Sequence, residues 1–407
     1  MGEILFLAHR VPFPPDRGDK IRSHHLLKGL ARLAPVHVGT FGETPQDMAQ
    51  KGELSAVAKT HALVERTKPL PFAGVEALFA GKPVSLCAFD HAAMHRYVAR
   101  TLVNHRIETI FVFSGQMGQY VPAGFAGRVV VDLCDVDSAK FEAYAAAGQR
   151  HWINAREGRL LAREEERLAH RAEATLLISD SEAALFRSRL VHPQSASLHT
   201  LGNGIDAEFF DPADIPFQPD IDEGEDPQLV FTGQMDYAPN VAAAEWVIAN
   251  IMPALRRRHT RARFHIVGRA PVPELKAKHG QDGVRVWGEV PDVRPYLRSA
   301  DLVVAPLMLA RGVQNKVLEA MAMARPVVLT PGAATGIPAR DGEHFAVVDA
   351  DPVAMLARIE RLLADPGRAR LMGAAARRFV VERMGWDRVY GELAELLGAG
   401  GTGCDAG

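Results

Sequence analysis

The sequence predicts an α/β protein of two domains, each a doubly wound parallel sheet, with a cleft between them. Three observations carry this. The chain has 407 residues, more than one ordinary core accommodates and enough for two domains of about 200. Short apolar runs alternate with helical patterns from the first residues, the rhythm of βαβ units. Near residue 211 the rhythm stops in an acidic, proline-rich stretch, and it restarts after residue 228. Two Rossmann-like sheets joined by a linker follow.

In order along the chain, Ile4 to Ala8 is a first strand, Lys20 to Leu33 a helix and Val36 to Phe41 a second strand. Further strands are expected at His61 to Glu65, Thr109 to Phe113, Val129 to Leu133 and Thr175 to Ser179. Each is separated from the next by enough chain for a crossover helix. Asp211 to Pro227 holds seven acidic residues, four prolines and no Lys or Arg. Such a stretch buries little apolar surface and cannot hold a regular helix, so 207–228 reads as an interdomain linker between domains at 1–206 and 229–384. The second set of strands is expected at Leu229 to Thr232, Arg263 to Val267, Val284 to Trp287, Leu302 to Ala305, Pro326 to Leu329 and Phe345 to Val348. The last stretch before the tail reads as helical with a break at Asp365 and Pro366, and 398–407 as a disordered tail.

Composition narrows the function. Forty-seven basic and forty-nine acidic residues leave a net charge of −2, so no global field favours nucleic acid. The cysteines Cys87, Cys134 and Cys404 are far apart, odd in number and form no CxxC. Neither a disulfide framework nor a zinc site is suggested, which fits a reducing, cytoplasmic compartment. The apolar start of the chain is too short for a signal peptide, and no run of eighteen apolar residues offers a membrane span.

Fold alone does not name the chemistry; the loops at the strand ends do. After the strand ending at Ala305 come Ala310-Arg311-Gly312-Val313-Gln314-Asn315-Lys316-Val317-Leu318-Glu319. A glycine turn opening a helix near Gly312 would aim the free amides of Gly312, Val313 and Gln314 at an anion such as a diphosphate. Lys316 adds a full charge, and about two turns in Glu319 can accept hydrogen bonds from vicinal ribose hydroxyls. Alternatively Lys316 and Glu319 merely pair on a helix surface.

The segment Asn315-Lys316-Val317-Leu318-Glu319-Ala320-Met321-Ala322, followed by Arg325-Pro326-Val327-Val328, resembles the donor site of glycosyltransferase family 4. Leu201-Gly202-Asn203-Gly204-Ile205-Asp206 through Phe210 and Pro212 is similar to that family's hinge. Phe231-Thr232-Gly233-Gln234-Met235 with Pro239-Asn240 is similar to the opening of its donor domain. Val267-Gly268 and Gly288-Glu289-Val290-Pro291-Asp292-Val293 are similar to its base-binding loops. Within the family, Arg10-Val11-Pro12-Phe13-Pro14-Pro15, Gly18-Asp19-Lys20 and Val131 to Ser138 resemble bacterial sugar transferases associated with PEP-CTERM and exopolysaccharide systems.

The resemblance implies a GT-B fold, with an acceptor-binding first domain, a donor-binding second domain and a terminal helix at 385–397 that returns to the first. It implies a retaining transfer of a sugar from a nucleoside diphosphate sugar to a hydroxyl acceptor, such as a lipid-linked glycan at the inner face of the cytoplasmic membrane. No cofactor is implied beyond the nucleotide-sugar co-substrate. Gly233, Gln234, Arg269, Val290, Arg311, Gly312, Val313, Lys316 and Glu319 would bind the donor. Two residues depart from the family's pattern. Arg311 stands where a glutamate is frequent, so the contact to the sugar's hydroxyls is lost or supplied elsewhere. Gln234 stands where an arginine is frequent, so Lys316, Arg311 or Arg269 supplies the positive charge.

Candidates in the first domain are read from position. Gly18, in the loop after the first strand, allows close approach of backbone to a phosphate. The alternative is a helix capped by Asp19, with Lys20 and Arg22 solvated. Asp132 and Asp135 follow another strand, where either could orient or deprotonate an acceptor hydroxyl or simply cap a strand end. Asp135-Val136-Asp137 has the D-x-D spacing of GT-A metal sites. In a GT-B frame helix dipoles and basic side chains serve the leaving group instead, so no metal is expected. His24 and His25 read as packing residues and His9 as a weaker candidate, while Arg256 to Arg263 reads as a solvated helix end or a contact to anionic lipid. The alternative functions are a GT-B sugar-nucleotide epimerase and an inactive scaffold of a polysaccharide assembly complex. No G-x-G-x-x-G follows a strand, which disfavours a dinucleotide oxidoreductase.

Overall fold

The computed structural model describes residues 2–146, 148, 150–221, 226–308 and 313–398. Arg311, Gly312 and nearly all of the tail expected at 398–407 lie outside these residues. The chain forms two compact units: residues up to Gly202 together with the chain from Val389 onward, and Asn203–Arg388.

The first unit is built on seven strands: β1 Glu3–Ala8, β2 Val36–Gly42, β3 Thr60–Glu65, β4 Ile107–Phe113, β5 Arg128–Cys134, β6 Ala174–Leu177 and β7 Leu198–Thr200. They lie in the order β3-β2-β1-β4-β5-β6-β7, every pair parallel. Ile4 to Ala8 and Ile110 to Phe113 are buried throughout, as expected of strands covered on both faces and visible in the sequence as unbroken apolar runs. The register aligns Ala8 with Thr40 on one side and with Phe113 on the other. Strand order reverses between β1 and β4, so the loops after them form the crevice where such sheets bind ligands.

The end of the chain packs on this first unit. In the helix Trp386–Leu396, Val389 and Leu393 are buried, Tyr390 shares a hydrogen bond of 2.9 Å with His25, and Arg32 lies 4.4 Å from the centre of its ring. Gly29 makes the room, since a Cβ there would fall 2.7 Å from Tyr390.

The second unit carries six strands, β8 Gln228–Thr232, β9 Arg263–Val267, β10 Val284–Gly288, β11 Leu302–Ala305, β12 Val327–Leu329 and β13 Ala346–Val347. Their order is β10-β9-β8-β11-β12-β13, again parallel throughout, with the reversal between β8 and β11. Before β8 the chain forms no helix or strand between Leu201 and Ile221, yet Phe210 and Ile221 are buried in this unit's core. The chain from Phe210 to Ile221 therefore lies on the second unit, anchored by Phe210, Ile215 and Ile221. Asp351 and Asp365 cap the helices Pro352–Ala364 and Pro366–Arg383 by accepting from the amides of Ala354 and Arg368, each with proline at the first helical position, where no amide is needed.

Among the described residues no helix is long and apolar enough to cross a membrane.

Candidate functional site

In the second unit Gly233, Gln234, Arg269 and Lys316 gather beyond the carboxyl ends of β8 and β9, beside the helix that follows β11. Gly233 ends β8 with φ of +152°, and a Cβ there would meet Asn240 Nδ2 at 2.9 Å and Lys316 Cε at 3.2 Å. Its neighbour Gly268 has φ of +149°, and a Cβ there would overlap the Gly233 carbonyl oxygen at 1.7 Å. Two backbone turns thus touch where no side chain could fit. Asn240, buried at the start of the helix Ala238–Asn250, fixes the loop after β8 by donating from Nδ2 to the Gln234 carbonyl at 2.9 Å. Its Oδ1 accepts from Lys316 Nζ at 2.6 Å. The Lys316 ammonium also lies 5.4 Å from the centre of the Phe231 ring.

The helix bearing Lys316 and Glu319 runs Asn315–Ala322. It starts at Asn315 rather than near Gly312, so Glu319 stands about one turn in, not two. Gln314, its N-cap, makes no side-chain capping bond. Val313 is half-buried against Gly336, where a Cβ would fall 2.9 Å from its Cγ2. Lys316 and Glu319 form no ion pair within 4.0 Å, so they are not simply partners on a helix surface. Among the described residues no side-chain hydrogen bond engages the Glu319 carboxylate. Burial pushes Lys316 down to about 8, against the pull of Glu319. Burial likewise pushes Glu319 up to about 7, against the pull of Lys316. Both are charges held at a cost that a ligand of opposite or hydrogen-bonding character would relieve.

Gln234 and Arg269 meet beside this pair. The exposed Arg269 donates from Nη2 to Gln234 Oε1 at 3.0 Å, and its carbonyl accepts from the Met235 amide at 2.8 Å. The glutamine thus orients a guanidinium. Val290 is half-buried and packs against the unit's core after β10. Arg311 and Gly312 lie outside the described residues.

In the first unit, residues converge at the ends of β1, β4 and β5. Gly18 opens the helix Gly18–Leu33, and a Cβ there would meet nothing within 4 Å. The fold does not require a glycine at that position. Asp19 is not a helix cap: it accepts from Arg10 at 2.8 Å and pairs with Arg17 at 3.1 Å. Burial works against its charge, yet hydrogen bonds from His9 and Arg10 and the Arg17 guanidinium hold it well below the usual carboxylate range. Lys20 and Arg22 are both buried rather than solvated. Lys20 bonds Asp47 at 2.7 Å and Arg22 bonds Asp132 at 2.8 Å.

Asp132 and Asp135 separate in role. Asp132 has no exposure, and its oxygens accept from Arg22 Nε and from the Cys134 amide at 2.9 Å. It ties a helix to a strand end and presents no oxygen to an acceptor, because both are shielded by protein. Asp135 is exposed; partial burial, with Glu182 and Asp137 nearby, raises its carboxyl above the ordinary value. It shares a recess with Gly115, Gln116, Asp137, Glu164 and Glu165. Backbone strain marks the same place, with Ser114 at φ of +75° and Cys134 at +66° at the ends of their strands.

Two groups here were weighed lightly or missed in the sequence. His9 is buried between Phe89 and Phe113, and its Nδ1 has no hydrogen-bond partner among the described residues. Glu165 is buried and accepts from the Ser138 amide at 2.9 Å and hydroxyl at 2.6 Å, while burial pushes it up to about 7. In the sequence it sits in Glu164-Glu165-Glu166, which resembles a solvated helix face. The Arg256 to Arg263 run is largely engaged with its own unit, Arg256 to the Ala262 carbonyl, Arg258 to Glu360 and Arg261 to Asp226.

Asp132, Asp135 and Asp137 do not converge within reach of one cation; among the described residues the group that does is Glu3, His37 and His105. That group lies at the opposite, amino-terminal end of the first sheet. Glu3 bonds His37 at 2.7 Å and also pairs with His105 and Lys59, so it is an internally satisfied polar cluster.

Comparison with known proteins gives the geometry a context. No curated protein matches the sequence. The fold is similar to sucrose-phosphate synthase from Thermosynechococcus elongatus, at 18% identity and a TM-score of 0.67 over 98% of each chain. It is similar to Anabaena Alr3699/HepE in complex with UDP and glucose, at 15% identity and a TM-score of 0.65 over 98% of this chain and all of that one. It is also similar to WaaG, a glycosyltransferase involved in lipopolysaccharide biosynthesis, at 16% identity and a TM-score of 0.62 over 97% of this chain and all of that one. Residues 226–365, which hold the Gly233, Arg269, Lys316 and Glu319 cluster, match the family described as glycosyl transferases group 1, and the two Rossmann-like units are those of a GT-B fold.

Proposed function

We propose that this chain is a retaining glycosyltransferase that moves a hexosyl group from a nucleoside diphosphate sugar to a hydroxyl acceptor. The observation that carries this reading is the arrangement of Lys316 and Glu319 on one helix start beside the Gly233 turn, one cationic and one anionic, both partly buried and unpaired with each other. A diphosphate suits the ammonium and the first amides of the helix. A ribose suits the carboxylate, which has no side-chain hydrogen bond among the described residues. The likeness to Alr3699/HepE, solved with UDP and with UDP-glucose, supports a nucleotide sugar as the donor.

In this reading Lys316, Arg269 and the helix amides stabilise the charge that develops on the leaving diphosphate. Gln234, Val290, Val313, Arg311 and Gly312 complete the donor site, and Gly18 leaves room for a phosphate. Asp135, whose carboxyl is raised above its ordinary value by burial, accepts or orients the acceptor hydroxyl's proton. Asp132 holds that loop through Arg22. The reaction needs no metal. The acceptor is a lipid-linked glycan in exopolysaccharide assembly, met at the cytoplasmic face of the membrane. Calorimetric titration of UDP, GDP and ADP tests the donor assignment: one should bind with heat lost in Lys316→Ala, and binding of none would end it.

A further inference from the structure

The helix Leu70–Ala80 in the first unit is built inside out. Only Ala73 and Ala77, one turn apart, are fully buried, and both are small. Its large apolar side chains point to solvent: Phe79 is 90% exposed, Phe72 70% and Leu70 60%, with Val75 and Leu78 more than half exposed. The helix carries a single charge, Glu76, which Lys68 neutralises at 2.8 Å. A neighbouring helix, His151–Arg171, extends the surface. Its Arg156 donates to the Ala77 carbonyl at 2.7 Å, and one turn earlier on the same face stands Trp152, 66% exposed. An aromatic side chain fully in water exposes roughly 150–250 Å². These six residues therefore present on the order of 600 Å² of apolar surface, at or above the largest patches of ordinary monomers.

We propose that this surface is a docking site for an anionic lipid membrane, entered by Phe72, Phe79 and Trp152. Charge selects this occupant. The rim is basic: Lys82 follows the helix, and Arg159 shares the face of Trp152 and Arg156. Among the described residues neither Lys82 nor Arg159 forms an ion pair. A second copy of the chain docked symmetrically would set these cations against their own images, whereas acidic headgroups complement them. The convex helix, with aromatic side chains outermost, matches an interface that accepts rings at headgroup depth. The purpose of the contact rests on the proposed lipid-linked acceptor; the binding itself does not.

The test is co-sedimentation of the full chain with vesicles of phosphatidylglycerol and phosphatidylcholine, and with phosphatidylcholine alone. The expected result is binding to the anionic vesicles, weaker by about tenfold or more for F72S/F79S at an unchanged melting temperature. A blue shift of tryptophan fluorescence on binding should vanish in Trp152→Phe. Absence of vesicle binding, equal binding by the double variant, or a concentration-dependent dimer that the double variant abolishes would each overturn the proposal. Calorimetry with the nucleoside diphosphate runs in parallel on wild type and variant. Nucleotide binding without vesicle binding removes this proposal alone, and the reverse removes the proposed function alone.

Discussion

Replacing Glu319 by Gln keeps the size of the side chain and one acceptor oxygen, and removes the charge. In the folded chain the carboxyl titrates at about 7, raised by burial from an ordinary value of 4.5. At pH 8 it is mostly ionised, and a hydrogen bond from a ribose hydroxyl to it is worth roughly 1.5–3 kcal/mol. The variant should then bind the nucleoside diphosphate about 10- to 100-fold more weakly. At pH 6 the wild type must first ionise the group, at roughly 1.4 kcal/mol per pH unit, so its advantage shrinks about tenfold. Stability moves the other way. Between pH 4.5 and 7 the folded state holds a proton that the unfolded state has released, so this residue's contribution falls as pH rises, by about 3 kcal/mol at most. Glu319→Gln should therefore melt at a higher temperature than wild type at pH 8, with the difference fading toward pH 5. Calorimetric titration at pH 6 and pH 8, with melts at both, reads all of this. Equal affinities at pH 8 would refute the assignment, and a variant melting lower than wild type would refute the argument from burial.

Asp135→Asn should lower turnover by about 10² to 10⁴ with little change in nucleotide affinity; unchanged turnover in a folded variant would leave Asp135 a structural role. Transfer measured in excess EDTA should keep most of its rate, and activity returning only with manganese or magnesium would make Asp135 and Asp137 candidate ligands. Asp132→Asn removes the carboxylate charge that the buried Arg22 pairs with at 2.8 Å and should cost about 3–5 kcal/mol of stability. An unchanged thermal melt would show that the Cys134 amide and the packing around Arg22 suffice.

Strands were the most legible part of the sequence. Unbroken apolar runs such as Ile4 to Ala8 and Ile110 to Phe113 can be satisfied only inside a sheet covered on both faces, and they fall within β1 and β4. The edge strand Leu198–Thr200 left no such signal because two of its three residues face water. The helix Leu70–Ala80 was illegible for a related reason: its apolar residues surround it, so no amphipathic period shows. Among candidate residues, the approach of Gly233 to Lys316 was legible because the two follow β8 and β11, which neighbour each other in the sheet. For Asp132 the sequence left two readings, acceptor contact or strand-end cap; one oxygen accepts from the Cys134 amide at the strand end, while Arg22, 110 positions away in sequence, closes over the other. Glu165 could not be found at all, because its burial depends on Ser138 from another helix.

The central claim is tested most directly by incubating the chain with UDP-, GDP- and ADP-sugars, with and without a lipid-linked glycan acceptor, and measuring released nucleoside diphosphate. The account predicts release from one donor, dependent on acceptor, with a lengthened glycan as the second product. No release from any donor, or a sugar nucleotide epimerised without an acceptor, would contradict it.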